Sequence, residues 1–176
     1  MKRISCMLVG DKKVGKSSIA VRYTTNSFRP EITQRCQFQS TKINIDGTNY
    51  ALGLVDTTDT NNTFCEKNIE KVDCFLVIYS ITDKDTLLHL PVYLSKIFDI
   101  KKKVQKKANV VIVGNKSDET QRDVTYEEGF AFAESINCTF METSAKDFTN
   151  INHLFDVAAR ECVEQLTETT SECPVM

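Results

Sequence analysis

The sequence predicts an α/β fold with a mostly parallel six-stranded sheet, one antiparallel strand and helices on both faces. Six segments of strand length, most of them apolar and the second roughly alternating polar and apolar, are separated by helical or turn segments, at residues 4–9, 37–46, 49–55, 73–80, 109–114 and 139–143. Within the runs at 73–80 and 109–114, residues 74–79 and 110–113 are continuously apolar, which is typical of strands covered on both faces. Strands that alternate with helices in this way favour a doubly wound parallel sheet.

The first part of the chain predicts a strand, a helix and a hairpin. The apolar run at 4–9 is the strand, and the stretch 17–25 is the helix that follows it after a short loop. The runs at 37–46 and 49–55 meet at Asp46-Gly47, a dipeptide typical of the tight turns that join antiparallel strands. This hairpin supplies the predicted antiparallel strand.

Three further helices are predicted between and after the later strands. One covers 91–103 and begins at a proline, a residue favoured at the first helical position. The next follows the capping box Thr125-Tyr126-Glu127-Glu128 and ends near residue 135. The last covers about 150–166, where the apolar residues recur on one helical face.

Length and composition predict one domain in the cytoplasm. The chain has 176 residues, which we divide into a domain at 1–166 and a short flexible tail at 167–176. Its net charge of −2 gives no basic field for a nucleic-acid partner. The lysines at 101–107 are either a solvated helix end or a patch for a partner or a lipid. The seven cysteines show no metal-ligand spacing, and the sequence has no secretory signal and no apolar run long enough to span a membrane. An odd number of cysteines in such a chain predicts reduced thiols.

The loop after the first strand has the complete pattern of a phosphate-binding loop. It reads Gly10-Asp11-Lys12-Lys13-Val14-Gly15-Lys16-Ser17, with Ser18 next in the helix. The glycines let backbone N–H groups turn inward around a phosphate, and the helix directs its positive end at the same anion. Lys16 adds a cation toward the terminal phosphates, and the Ser17 hydroxyl is a ligand for Mg²⁺. This motif alone predicts a nucleoside di- or triphosphate and does not separate a kinase from a GTPase.

Two later loops predict that the base is guanine. Asn115-Lys116-Ser117-Asp118 follows a buried strand, at the strand end where such sheets bind ligands. The Asp118 carboxylate can accept hydrogen bonds from guanine N1–H and the 2-amino group, a donor pair that adenine lacks, and the Lys116 stem can cover the base. Glu142-Thr143-Ser144-Ala145-Lys146 follows the last strand, where the Ala145 N–H can donate to guanine O6.

With these three motifs in order, the chain resembles the Ras superfamily of small GTPases over nearly its whole length. The resemblance implies the small G domain fold with a phosphate loop, GTP and GDP as ligands and Mg²⁺ as cofactor. It also implies a monomer with effector proteins, an exchange factor and an activating protein, acting in signalling or vesicle traffic. Two switch loops should order around the γ-phosphate and relax after hydrolysis. Spacing through the first switch is Rab-like and the tail is Ras-like, so the branch stays open.

The switches depart from the family pattern. Thr33 is the expected first-switch ligand for Mg²⁺, and Phe28 is either the aromatic that packs on the base or a plain core residue. Asp56 should hold Mg²⁺ through water. Asp59 stands where the family has a glycine whose N–H binds the γ-phosphate, and its carboxylate either repels that phosphate or turns outward. Lys16 and Thr60 are the candidate catalytic residues, and Thr60 replaces the glutamine that orients the attacking water.

Lys12 is a third departure, in the phosphate loop itself. The family has a small residue there because the arginine finger of an activating protein passes close by, so a lysine would crowd and repel that arginine. The other interpretation is that the Lys12 ammonium itself reaches the phosphates. We therefore expect a switch that hydrolyses GTP slowly with Mg²⁺. The alternatives are a binding module that holds nucleotide without useful hydrolysis and, least favoured by the base motif, a nucleotide kinase.

The chain ends in Cys173-Pro174-Val175-Met176, which has the form of a farnesylation box with Cys173 as the lipidated residue. Pro174 departs from the aliphatic residue that usually follows the cysteine. The preceding residues 167–172 are acidic and contain no lysine. Because one prenyl chain anchors weakly and reversibly, we expect exchange between the cytoplasm and the cytoplasmic face of a membrane.

Overall fold

The computed structural model describes residues 1–28, 38–57 and 63–171, with side chains up to residue 165. Within these residues it contains one six-stranded sheet in the order β2-β3-β1-β4-β5-β6. The strands are β1 (Lys2–Val9), β2 (Phe38–Ile45), β3 (Thr48–Asp56), β4 (Cys74–Ser80), β5 (Asn109–Asn115) and β6 (Thr139–Thr143). Only β2 runs antiparallel to its neighbour, β3, and the other pairs are parallel. The predicted fold class is confirmed.

Six helices connect and follow these strands in the described part of the chain. They are α1 (Lys16–Thr25), α2 (Glu66–Lys71), α3 (Lys84–Leu88), α4 (Leu90–Lys103), α5 (Tyr126–Ser135) and α6 (Ile151–Ser171). The four longer ones match the predicted helices. The two short ones, α2 and α3, were not predicted, because six or five residues are too few to show a helical repeat of apolar positions.

The sheet is covered on both faces by separate hydrophobic clusters. One cluster joins alternate residues of β4, such as Leu76 and Ile78, to α1 and α6. The other joins the intervening residues of β4, such as Phe75 and Val77, to α2, α3, α4 and α5. All seven residues of β4 are buried, which is why this strand has no polar alternation in the sequence.

Local signals in the sequence set several of the turns and helix starts. The hairpin between β2 and β3 turns at Asp46 (φ 48°) and Gly47 (φ 81°), the positive values that the predicted tight turn requires. The capping box of α5 is present, with the Glu128 N–H 3.2 Å from Thr125 Oγ1 and the Thr125 N–H 2.9 Å from Glu128 Oε2. Pro91 lies in the first turn of α4.

Helix α6 is longer than predicted. It continues to Ser171, whereas the apolar pattern predicted an end near Leu166. No glycine or proline occurs between 150 and 171, so nothing in the backbone chemistry stops the helix where its apolar face ends. The division of the chain at residue 166 stays a prediction.

The lysine cluster at 101–107 is only partly a solvated helix end. Lys102, Lys103, Lys106 and Lys107 are exposed, but Lys101 is only 3% exposed. Its ammonium donates to the carbonyl oxygens of Glu70 and Val72, at the end of α2. Among the described residues, no helix combines the length and the apolar character needed to cross a membrane.

Candidate nucleotide-binding site

The predicted site residues converge on one edge of the sheet. The phosphate loop follows β1, Asp56 ends β3, and the two base motifs begin within the last residues of β5 and β6. Because β1, β3, β5 and β6 all point in the same direction, their carboxyl ends share this edge. The structure therefore places the three motifs where an α/β sheet binds its ligand.

The backbone of the phosphate loop requires its glycines. Gly10 and Gly15 have φ values of 147° and 100°, and Lys13 between them has φ 65°. A Cβ at Gly10 would collide with the Ile78 carbonyl oxygen, and one at Gly15 would collide with Asn115 Nδ2. Both positions therefore need glycine for two reasons, the backbone conformation and the close approach of a neighbouring strand end.

Lys16 is buried beneath the loop that it serves. Lys16 is only 4% exposed, and its Nζ donates to the carbonyl oxygens of Gly10 at 2.8 Å and Asp11 at 2.6 Å. An ammonium has three donors, so one remains for a phosphate oxygen. Burial lowers the Lys16 pKa to about 8, and the carboxylates of Asp56 and Asp11 oppose that shift.

Ser17 and Asp56 form the described part of the predicted metal site. The Ser17 hydroxyl donates to Asp56 Oδ2, across the gap between the start of α1 and the end of β3. A hydroxyl and a single carboxylate suit Mg²⁺, which binds through few protein oxygens and completes its shell with water and phosphate. No group of three or more acidic, histidine or cysteine ligands occurs in the described residues. The donor set fits the magnesium ion of a nucleotide complex.

Asn115 links the base motif to the phosphate loop. Its Nδ2 donates to the Val14 carbonyl oxygen at 2.9 Å, and its Oδ1 accepts from Thr143 Oγ1 at 3.1 Å. Asn115 is 2% exposed, and Thr143 and Val14 are fully buried. One amide thus joins the phosphate loop, β5 and β6, a bracing role that the sequence motif did not reveal.

Asp118 is held in place by the second base motif. Its Oδ1 accepts from Ser144 Oγ at 2.6 Å, and its Oδ2 lies 3.6 Å from Lys146 Nζ. The chain turns at Lys116, which has φ 69°, and the Ser117 N–H fixes the loop by donating to the Thr143 carbonyl oxygen at 3.0 Å. A carboxylate has about four acceptor positions, so Asp118 retains capacity for a pair of N–H donors on a base.

The remaining predicted residues fall into four groups. In the phosphate loop Lys12 and Lys13 are exposed and Val14 is buried, while Ser18 is half-buried in α1. Phe28 is 36% exposed at the end of the first described segment, so it is not a core aromatic. Ala145 is 4% exposed in the base motif. The remaining candidates, Thr33, Asp59, Thr60 and Cys173, lie outside the described residues.

One useful residue beside the site was not predicted. The Thr57 hydroxyl donates to the Leu8 carbonyl oxygen at 2.8 Å. This bond ties the first residue after β3 to the neighbouring strand β1 and so fixes the direction in which the chain leaves Asp56. A threonine next to the aspartate was the available signal, but its partner on β1 lies 49 positions away and is invisible in the sequence.

Comparison with known proteins identifies the same segments. A model of the Ras family matches residues 5–164, which include every described motif of the site. The Ras-related protein Rab-17 of Homo sapiens is 33% identical over 167 residues, covering 92% of this chain and 77% of that protein.

Proposed function

The chain belongs to the Ras family, and from this premise we propose that it is a guanine-nucleotide switch with slow, Mg²⁺-dependent GTP hydrolysis. The observation that carries the proposal is the pairing of Asp118 with Ser144 on one side of the site and of Lys16 with the phosphate loop on the other. The first pairing directs a carboxylate at a guanine edge, and the second directs a cation at the phosphates. Asn115 holds these two parts in fixed relation.

Each part of the site has a separate task in this proposal. The loop between Gly10 and Gly15 wraps the phosphates with backbone N–H groups, and Lys16 adds its charge. Ser17, Asp56 and Thr33 hold Mg²⁺, which when bound offsets negative charge on the phosphate oxygens. The proposed role of Thr33 rests on the sequence alone.

Slow hydrolysis is expected from Thr60 in the second switch and from Lys12 in the phosphate loop. Small GTPases with the usual glutamine hydrolyse GTP at about 10⁻⁴ to 10⁻³ per second without an activating protein. Thr60 is shorter than glutamine and lacks the amide that both donates to and accepts from water. The exposed Lys12 would repel an arginine finger, so an activating protein of that kind should accelerate the reaction little.

The alternative function is a binding module that holds nucleotide and recruits partners without useful hydrolysis. It is supported by Asp59, which replaces the glycine at the γ-phosphate. Two like charges about 4 Å apart repel by roughly 4 kcal/mol at a surface-like dielectric, an upper figure because the side chain can turn outward. This repulsion would favour GDP over GTP.

Single-turnover hydrolysis of bound GTP tests the proposal and separates it from the alternative. We expect a rate below about 10⁻⁴ per second for the natural chain and a clear increase for Asp59→Gly combined with Thr60→Gln. Asp59→Asn is the matched control, because it removes the charge but keeps the side chain and leaves Thr60 in place. A natural rate at or above the family value would refute slow hydrolysis, and an immeasurably low rate would favour the binding module. Failure to copurify with guanine nucleotide would refute both.

Membrane association through Cys173 is a separate part of the proposal. Helix α6 reaches Ser171, so in sequence only Glu172 separates its end from the lipidated cysteine. A single prenyl chain on so short a connection should give weak, reversible binding. Cys173→Ser should shift the protein out of the membrane fraction of cells, whereas Cys65→Ser, at a half-buried cysteine before α2, should not. An unchanged membrane fraction for Cys173→Ser would contradict lipidation.

A further inference from the structure

The carboxylate of Asp11 is bound by two side chains that belong to none of the nucleotide motifs. Its Oδ2 lies 2.6 Å from His89 Nδ1, and its Oδ1 accepts from the Tyr93 hydroxyl at 2.7 Å. Both partners belong to the start of α4: His89 is its N-cap, and Tyr93 lies in its first turn. The Asp11 side chain is 22% exposed, so the contact is partly shielded from solvent.

Tyr93 also contacts Phe64, which lies four residues after Thr60 of the second switch. Its ring lies edge-on to that of Phe64, with centroids 5.7 Å apart and an interplanar angle of 65°. Lys96, one helical turn further along α4, donates from Nζ to the Phe64 carbonyl oxygen at 2.6 Å and lies 4.6 Å from the centre of its ring. A continuous series of contacts therefore leads from Asp11 through Tyr93 to Phe64.

We propose that His89 and Tyr93 are positioning residues that hold the Asp11 carboxylate against α4, away from the phosphate site, and that Tyr93 joins the phosphate loop to Phe64, which follows Thr60 of the second switch in the sequence. We call Asp11, His89 and Tyr93 the Asp11 clamp. The inference rests on the proposed nucleotide binding and adds a control over how firmly the nucleotide is held.

The physical reason for the clamp is the charge of Asp11. This carboxylate belongs to the loop that must surround a polyphosphate, and it already acts electrostatically on Lys16. If it were released, it could turn toward Lys16 and compete with phosphate for the ammonium, or repel the phosphate directly. Hydrogen bonds from Tyr93 and from protonated His89 fix the carboxylate elsewhere and offset its charge.

His89 gives the clamp a definite pH dependence. The hydrogen bond to Asp11 and the charge of that carboxylate raise the His89 pKa above its usual value, and Asp85 and Asp83 on and before α3 act in the same direction. The imidazole is therefore charged at low pH and loses its charge as the pH rises through this raised pKa. We expect nucleotide release to be slower at pH 5.5 than at pH 7.5, a window that ends below the Lys16 pKa of about 8.

Release of a fluorescent GDP analogue from the full chain, chased with excess GDP, tests the role of Tyr93. Tyr93→Phe keeps the ring beside Phe64 but loses the hydroxyl, and we expect release about fivefold faster. Tyr126→Phe, at a tyrosine 50% exposed on α5, is the matched control and should release at the natural rate. Equal release from the natural chain and Tyr93→Phe would overturn this inference alone. A natural chain that retains no probe would overturn the proposed function and the inference with it.

The pH profile of the same release tests His89. The natural chain should release the probe about two- to fivefold more slowly at pH 5.5 than at pH 7.5, as expected for a partly exposed ion pair. His89→Gln should lose this difference, whereas His153→Gln should keep it. The chain contains two histidines, and His153 is exposed on α6, so the control is complete. A profile unchanged in His89→Gln would overturn the role of His89.

A double-mutant cycle tests the connection to the second switch. Asp11→Asn and Phe64→Ala change the two ends of the contact series without touching Tyr93 itself. If Tyr93 connects them, their effects on release should deviate from a simple product by about threefold or more. Multiplicative effects would refute the connection. Thermal unfolding of each variant identifies any that are not folded, and the milder Phe64→Leu then replaces Phe64→Ala.

Discussion

The proposed base-binding side and the proposed phosphate-cleaving side of the site differ in how closely their residues follow the family pattern. On the base side, Asn115, Asp118 and Ser144 have the expected identities and are bonded to one another or to the phosphate loop. On the cleaving side, Lys12, Asp59 and Thr60 all differ from the residues that hydrolysis uses. In the proposed function, holding a nucleotide and cleaving it therefore depend on separate residues of one fold, and only the residues proposed to hold it match the family pattern.

The largest expected effect is the loss of GDP affinity when Asp118 on the base-binding side is replaced. Asp118→Asn places an amide donor where guanine presents two donors, so we expect a loss of about 3 kcal/mol, or roughly 150-fold in GDP affinity. Titration with a fluorescent GDP analogue measures it. Asp123→Asn, at an exposed aspartate before α5, should bind like the natural chain. A loss below tenfold would mean that Asp118 does not carry base recognition.

Removing Asn115, the residue that links the base motif to the phosphate loop, should lower the free energy of unfolding by nearly as much. Asn115→Ala leaves the buried Val14 carbonyl and Thr143 hydroxyl without this partner, so we expect about 2–3 kcal/mol lower free energy of unfolding. Urea denaturation monitors this change, with Asn152→Ala on the exposed face of α6 as control. If only nucleotide affinity fell and stability did not, Asn115 would belong to the ligand site rather than to the frame.

A smaller decrease in GDP affinity should follow when the pH is raised, because Lys16 beside the phosphates loses its charge. Lys16 has a pKa lowered to about 8 by burial, so the free protein loses this cation as the pH rises above 8. A bound phosphate favours the charged form, and affinity for GDP should therefore fall by up to about tenfold per pH unit above that value. Calorimetry between pH 7.5 and 9.0 would show the decline. Constant affinity over this range would mean that Lys16 stays protonated throughout.

The smallest effect on stability and GDP affinity is expected for a substitution at Tyr79 in β4. The Tyr79 hydroxyl is fully buried, and it makes no hydrogen bond to the described residues. Tyr79→Phe removes an unpaired polar group, so we expect stability unchanged or increased by about 1 kcal/mol and no change in GDP affinity. A marked loss of either, in thermal unfolding or titration, would reveal a partner for this hydroxyl.

The same contrast explains what the sequence could predict. Continuous patterns, such as the loop from Gly10 to Ser17 or the capping box at Thr125, encode local backbone geometry, and the structure has the positive φ values and the helix cap expected from them. The brace at Asn115 and the clamp around Asp11 join residues about 80 to 100 positions apart, so no local pattern marks them. Helix α6 continues beyond its predicted end because the prediction relied on the apolar face, which ends at Leu166, whereas the helical backbone continues to Ser171.

The burial of Lys101 has a consequence for chemical labelling. Its ammonium is occupied by carbonyl oxygens at the end of α2, and burial lowers its pKa, while four neighbouring lysines are exposed. An amine-specific acylating reagent should therefore modify the neighbours in the folded protein and spare Lys101. Acylation at this one position then becomes a reporter for opening of the junction between α2 and α4, readable by mass spectrometry without any mutation.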